Sequence, residues 1–148
     1  MYFVDRRKIE EHLEYLDNGV SLFKESNFQK PLEKLALERL HHVFIESMID
    51  VGNNIIDGFI MRDPGSYVDI IDILADEKVV PSDCASDLKQ IVMMRKSLMQ
   101  SYVTMDHASL EGNLRKNLIA LENFSNYVRT YLNEELGAVS AFLPEDHN

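Results

Sequence analysis

The stretch Ile9-Glu10-Glu11-His12-Leu13-Glu14-Tyr15-Leu16-Asp17-Asn18-Gly19-Val20-Ser21-Leu22-Phe23 decides the fold class. Its apolar residues Ile9, Leu13, Leu16, Val20 and Phe23 recur at steps of four, three, four and three. That is one helical stripe of coiled-coil type, not the period-two alternation of a strand. Asp5 stands where an N-cap is needed, so a helix is expected from about Arg6 to Ser26.

The pattern continues outward from there. Pro31 suits the first turn of a second helix, with Leu32, Leu35, Leu40, Val43, Ser47, Val51 and Asn54 on one face. Ile45, Met48, Ile49, Ile55 and Ile56 widen its apolar arc, which makes this helix central; Gly58 and Arg62-Asp63-Pro64-Gly65 end it. Ser66 caps a short third helix to about Glu77, which Val79-Val80-Pro81 breaks. A fourth helix is expected from about Ser82 to Met105. A fifth restarts at Asp106 or Ser109, carries Leu110, Leu114, Leu118, Leu121, Phe124, Val128 and Leu132, and ends at Leu136-Gly137.

The chain has 148 residues, enough for one domain with a real core, and 45% of them are hydrophobic, too many for disorder. Six glycines and four prolines are too few for a sheet built on many turns. The expectation is an all-α protein, an antiparallel four- to five-helix bundle. A single helical domain would span 1–137 and a tail 138–148. Broad apolar faces suggest that one helix pair is buried in a homodimer, with a monomer of generous core as the alternative. A single cysteine, Cys84, the lack of an apolar run at the start and the absence of a membrane-length apolar segment point to a reducing cytoplasm and no membrane. The net charge of −10 repels nucleic acid and anionic lipid, so any work on RNA needs a local basic cleft, one that two chains would build.

The candidate chemistry sits in Arg95-Lys96-Ser97-Leu98-Met99-Gln100-Ser101-Tyr102. Seven residues of ideal helix return to within about 20° of the same face, about 10.5 Å further along, so Arg95 and Tyr102 would share a face. A planar guanidinium beside a phenol suits a phosphate ligand. Arg95 and Gln100 lie about 140° apart on an ideal helix and meet only if the helix distorts or a second subunit closes the site. On the second helix Glu46, Asp50 and Asn54 form an i, i+4 ridge, placed to orient Arg95 or contact a nucleotide; Lys96 adds local positive charge. Arg62 reads as turn chemistry, with phosphate binding as the lesser reading, and His107 as an ordinary exposed loop histidine, with a place in a cleft as the lesser reading. His12, His41 and His42 lack metal-ligand spacing, so neither a metal nor a cofactor is expected.

The whole chain resembles the HepT-like branch of the HEPN superfamily. The resemblance rests on Leu37-Glu38-Arg39 and Ile45-Glu46, on Ile56 through Tyr67 as its most specific part, on Asp69 and Val79-Val80-Pro81, and on the Arg95-to-Tyr102 stretch. It implies a dimeric helical bundle that acts as a metal-independent endoribonuclease toxin. The implied partner is a small nucleotidyltransferase antitoxin that transfers AMP onto a tyrosine. The family pattern is an Arg, four to six residues, a His, any residue and a Tyr. Carried over, Arg95 stabilises phosphate and Tyr102 is the catalytic tyrosine and AMP acceptor; Gln100 stands where the family has His. Gln100 cannot titrate, so a non-catalytic module binding a nucleotide, RNA or the nucleotidyltransferase stands as the alternative. A purely structural helical dimer would leave Arg95 and the polar ridge without a purpose.

Overall fold

A computed structural model of the chain describes residues 4–140. Every regular element among them is helical: α1 (Arg6–Glu25), α2 (Pro31–Gly58), α3 (Tyr67–Asp76), α4 (Ser82–Val92), α5 (Arg95–Gln100), α6 (His107–Lys116) and α7 (Leu118–Ser140), with a 3-10 turn at Tyr102–Thr104. The α1 stripe buries the five residues its spacing selects, Ile9, Leu13, Leu16, Val20 and Phe23. Side-chain caps start three helices: Asp5 accepts from the Lys8 N–H, Ser66 from Asp69 and Asp106 from Ser109.

Helix α2 is the centre of the molecule, with α1, α3, α5 and α6 packed on it, while α7 closes the far side against α1 and α4. Its buried arc runs through Leu37, His41, Phe44, Ile45, Met48, Val51 and Ile55. This differs from the expected face: Leu32 and Leu35 are 78% and 60% exposed, and Leu40, Val43 and Asn54 are half-buried. Gly52 lets α3 approach closely, because a Cβ there would stand 2.4 Å from the Cγ2 of Ile70, a β-branched side chain with nowhere to swing. Gly52→Ala is therefore expected to cost about 1–3 kcal/mol of stability, read as a lower urea midpoint.

Two expected helices are each divided. The fourth breaks at Met93–Met94, where ψ relaxes to −19° and −9° and the Met94 N–H bonds back to Ile91 instead of the residue four before it. The fifth breaks at Asn117, a buried side chain whose amide takes the Asn113 carbonyl at 2.9 Å and Gln90 at 3.3 Å, competing with the helix ladder. Nor does α2 use Gly58 as a left-handed cap. Ile60 takes that conformation at φ 55°, closed by the Met61 N–H on the Ile56 carbonyl; Lys78 does the same after α3 at φ 64°. Helix α7 passes through Gly137, which has no positive φ, so the expected end at Leu136-Gly137 is displaced to Ser140. Of the tail expected over 138–148, residues 141–148 lie outside the described residues.

Candidate functional site

The i, i+4 ridge on α2 begins earlier than Glu46, with Glu38 and His42, and continues to Asp50 and Asn54. Three of its members hold side chains from other helices. The Arg95 Nε donates to Glu46 at 2.9 Å, with the two side chains 28% and 33% exposed. His107 Nε2 donates to Glu38 at 2.7 Å. Asp50 stands 3.6 Å from the Nε2 of His12, whose Nδ1–H donates to the Lys8 carbonyl at 2.8 Å. Asn54, one turn further, is half-buried.

Arg95 is fixed on two sides. Its guanidinium carbon lies 4.2 Å from the centre of the Tyr67 ring, so the aromatic face covers the plane that Glu46 grips by its edge. The hydrogen bond it donates to Glu46 raises the Arg95 pKa further above its ordinary value. Among the described residues no hydrogen bond engages either Nη. The helix break at Met93–Met94 restarts the chain at Arg95 and turns this side chain toward α2. The guanidinium is thus held by Nε and by its face, with its bidentate edge available to an anion.

The other residues of the stretch are arranged differently from expectation. Gln100 is the last residue of α5 and is exposed; at Ser101 the backbone leaves the helix (φ −112°, ψ 32°). Tyr102 therefore does not share a continuous helical face with Arg95. It sits in the 3-10 turn with 63% of its surface exposed. Lys96 is exposed. Arg62 spends its fork on Asp69 at 2.8 and 2.9 Å and reaches Asp76 at 3.4 Å, which bears out turn chemistry; with the Gly65 N–H it holds the Asp69 carboxyl down to about 2.

His107 differs most from its expected role. It opens α6 instead of lying in a loop, and its side chain is 24% exposed against Glu38. Glu38 and Tyr67 are not among the site residues the sequence points to, although both fall in motifs carrying the resemblance. Their partners lie 69 and 28 positions away, and no local pattern encodes such pairings. A cleft of about 350 Å³ opens between α1 and α2, lined by His12, Tyr15, Arg39, His42, Glu46 and Asp50 among others. Glu46 thus joins this cleft to Arg95. No group of three or more His, Cys, Asp or Glu among the described residues is placed to hold a metal ion. Cys84 is buried, and burial pushes its thiol up to about 11, which keeps it protonated at neutral pH.

A family model described as Ribonuclease HepT-like matches residues 9–128. The chain belongs to the HepT-like ribonuclease family. It is 47% identical over 143 residues to the Bacillus subtilis (strain 168) protein named "Putative RNase YutE", covering 96% of this chain and 99% of that one. A solved structure described as a cytosolic protein of unknown function, YutE from Bacillus subtilis, superposes with a TM-score of 0.92 at 47% identity. The match covers 96% of this chain and all of that one. The HepT-like model spans α2, the Arg95 stretch and α6, so His12, Arg95 and His107, the three side chains that face carboxylates of α2, lie inside the matched region. No helix among the described residues is long and apolar enough to cross a membrane.

Proposed function

We propose that this chain is a metal-independent endoribonuclease of the HepT type, acting in the cytoplasm as a homodimer and controlled by a nucleotidyltransferase antitoxin. The observation that carries the reading is Arg95, held by Glu46 and Tyr67 with both Nη groups uncommitted. A guanidinium preorganised in this way stabilises the charge that develops on a phosphate when the neighbouring 2′-hydroxyl attacks it. Lys96 adds positive charge beside it in an otherwise acidic chain. Asp50 and Asn54 extend the ridge along which a nucleotide would lie. Gln100 contributes hydrogen bonds to the strand but no proton. Tyr102, with 63% of its surface exposed, is accessible to AMP transfer.

The homodimer would form on α1 and α2. An apolar groove of about 540 Å³ runs between them, and Tyr15 and Leu22 on it are 60% and 55% exposed. The groove shares Tyr15, Arg39 and Val43 with the cleft that contains Glu46. A second copy seated in the groove therefore walls the cleft as well. The second reading, a binding module without catalysis, is favoured by Gln100 alone.

Incubating purified protein with single-stranded RNA in excess chelator tests the proposal. Cleavage to fragments ending in a 2′,3′-cyclic phosphate is expected. Gln100→His supplies a proton donor for the leaving oxygen and is expected to raise the rate by about 10²-fold. Intact RNA with both proteins, in folded dimers, overturns the nuclease and leaves the binding module.

A further inference from the structure

Arg39 and His42 stand at i and i+3 on α2, so their side chains leave the helix as neighbours, with Cβ atoms about 5–6 Å apart. Both line the α1–α2 cleft of about 350 Å³. Among the described residues no hydrogen bond or ion pair engages either one. Arg39 differs in this from Arg62, Arg95, Arg115 and Arg129, each of which is bonded to a carboxylate. Ser47, only 5% exposed, belongs to the same cleft, and no hydrogen bond among the described residues occupies its hydroxyl. Tyr15, Arg39 and Val43 line both this cleft and the apolar groove beside it, which places the exposed Tyr15 ring and the guanidinium at the same end.

The carboxylates of the cleft do not claim these donors. Glu46 holds Arg95 at 2.9 Å, and Glu11 faces Arg7 at 3.7 Å. Asp50 lies about 16 Å from Arg39 along the α2 axis, beside His12 at 3.6 Å. We propose that Arg39 and His42 bind the phosphate of one nucleotide unit whose base lies on the Tyr15 ring. A guanidinium fork matches two phosphate oxygens, and the imidazole one turn away donates to a third. Tyr15 offers a flat face on which any base stacks. The Ser47 hydroxyl, deeper in the cleft, both donates and accepts, which suits the hydroxyls of a ribose.

The volume sets the size of the ligand. About 350 Å³ is at the small end of ligand sites, room for a single nucleotide and too little for a folded RNA element. The same chemistry serves a free nucleotide and one unit of a single strand, and two probes separate these sources. The inference goes beyond the nuclease reading. Binding here does not require that RNA be cut, and the site stands on Arg39 and His42, one turn of α2 before Glu46, and uses no atom of Arg95.

Calorimetry with AMP and with adenosine, and fluorescence anisotropy of a labelled single-stranded 2′-O-methyl RNA, test the site on the full chain. That RNA cannot be cut through its 2′-oxygen, so binding is read apart from cleavage. At least one of AMP and the strand is expected to bind the wild type, and to bind Arg39→Ala and His42→Ala about tenfold or more weakly at an unchanged melting temperature. Lys116→Ala removes the same charge on α6, outside the cleft, and should bind as the wild type does. Binding of AMP alone identifies a free nucleotide as the ligand, and binding of the strand alone a chain. Where AMP binds, adenosine should bind about tenfold or more weakly, because it lacks the phosphate. Where Arg39→Ala dissociates to a monomer, His42→Ala decides, since His42 does not line the apolar groove. Failure of both AMP and the strand to bind the wild type overturns the site. So does binding undiminished in Arg39→Ala or His42→Ala, an equal loss in Lys116→Ala, or adenosine binding as tightly as AMP. Each of these leaves the nuclease reading to its own cleavage assay.

Discussion

Arg95→Ala is expected to cleave RNA about 10²–10³-fold more slowly than the wild type, the size of effect seen when one preorganised donor to a developing oxyanion is removed. The loss should fall on kcat more than on KM, because the guanidinium edge is proposed to meet charge that grows in the transition state. Stability should change little. The Arg95–Glu46 pair is partly exposed, and such pairs contribute about 1 kcal/mol or less. Arg95→Lys keeps the charge but loses both the edge-on grip of Glu46 and the fork, so it should recover only a small part of the rate. Cleavage by Arg95→Ala at the wild-type rate would remove the guanidinium from the site. Glu46→Gln and Tyr67→Leu should each lower the rate by a smaller factor, since they orient Arg95 and do not replace it.

The second large effect concerns stability in acid. His41 is fully buried where α2, α4 and α6 meet, in a network through Asn113 to the Gln90 carbonyl. Its Nε2–H donates to Asn113 at 3.0 Å, and Nδ1 has no partner. Burial lowers its pKa from 6.5 to about 4, with the Asn113 bond opposing the shift. Above pH 6.5 the imidazole is neutral in both folded and unfolded chains, so the folded state keeps its full stability. Between pH 6.5 and 4 the unfolded chain takes up a proton that the folded one refuses, and stability falls. The loss reaches about 3 kcal/mol near pH 4. Urea unfolding across this range measures it. His41→Leu, although less stable overall because Asn113 loses its partner, should show a flatter dependence. An unchanged slope in that variant would assign the acid sensitivity elsewhere. The window is separate from that of Asp69, whose stabilising contribution is lost only below its ordinary value of 3.8.

The α1 stripe, the caps at Asp5, Ser66 and Asp106, and the α7 stripe through Phe124 and Val128 were all legible in the sequence, because each is a short-range pattern with a period. The family was legible too, since it rests on residue identities spread along the chain. Legibility failed where a polar side chain competes with a helix. Asn117 looks like an ordinary interior position until Gln90 and the Asn113 carbonyl are brought to it, and the break follows from that meeting. The buried face of α2 departs from its helical pattern for a related reason. Leu32 and Leu35 are apolar in a helical register, but burial depends on where α1, α3 and α6 lie around the axis.

The site divides along the same line. From sequence alone came the class of helices, the family, the prominence of Arg95 and the amide at position 100. The sequence also offered Glu46, Asp50 and Asn54 as partners for Arg95; only the tertiary structure decided that Glu46 takes it and Tyr67 covers it, that Tyr102 leaves its helix for an exposed turn, and that His107 faces Glu38. Helical periodicity is written by neighbours within a turn or two, through backbone hydrogen bonds four residues apart. The pairs that build the site lie 49 and 69 positions apart. They form when apolar burial presses α5 and α6 onto α2, which leaves each half-buried carboxylate of α2 to be met by a donor.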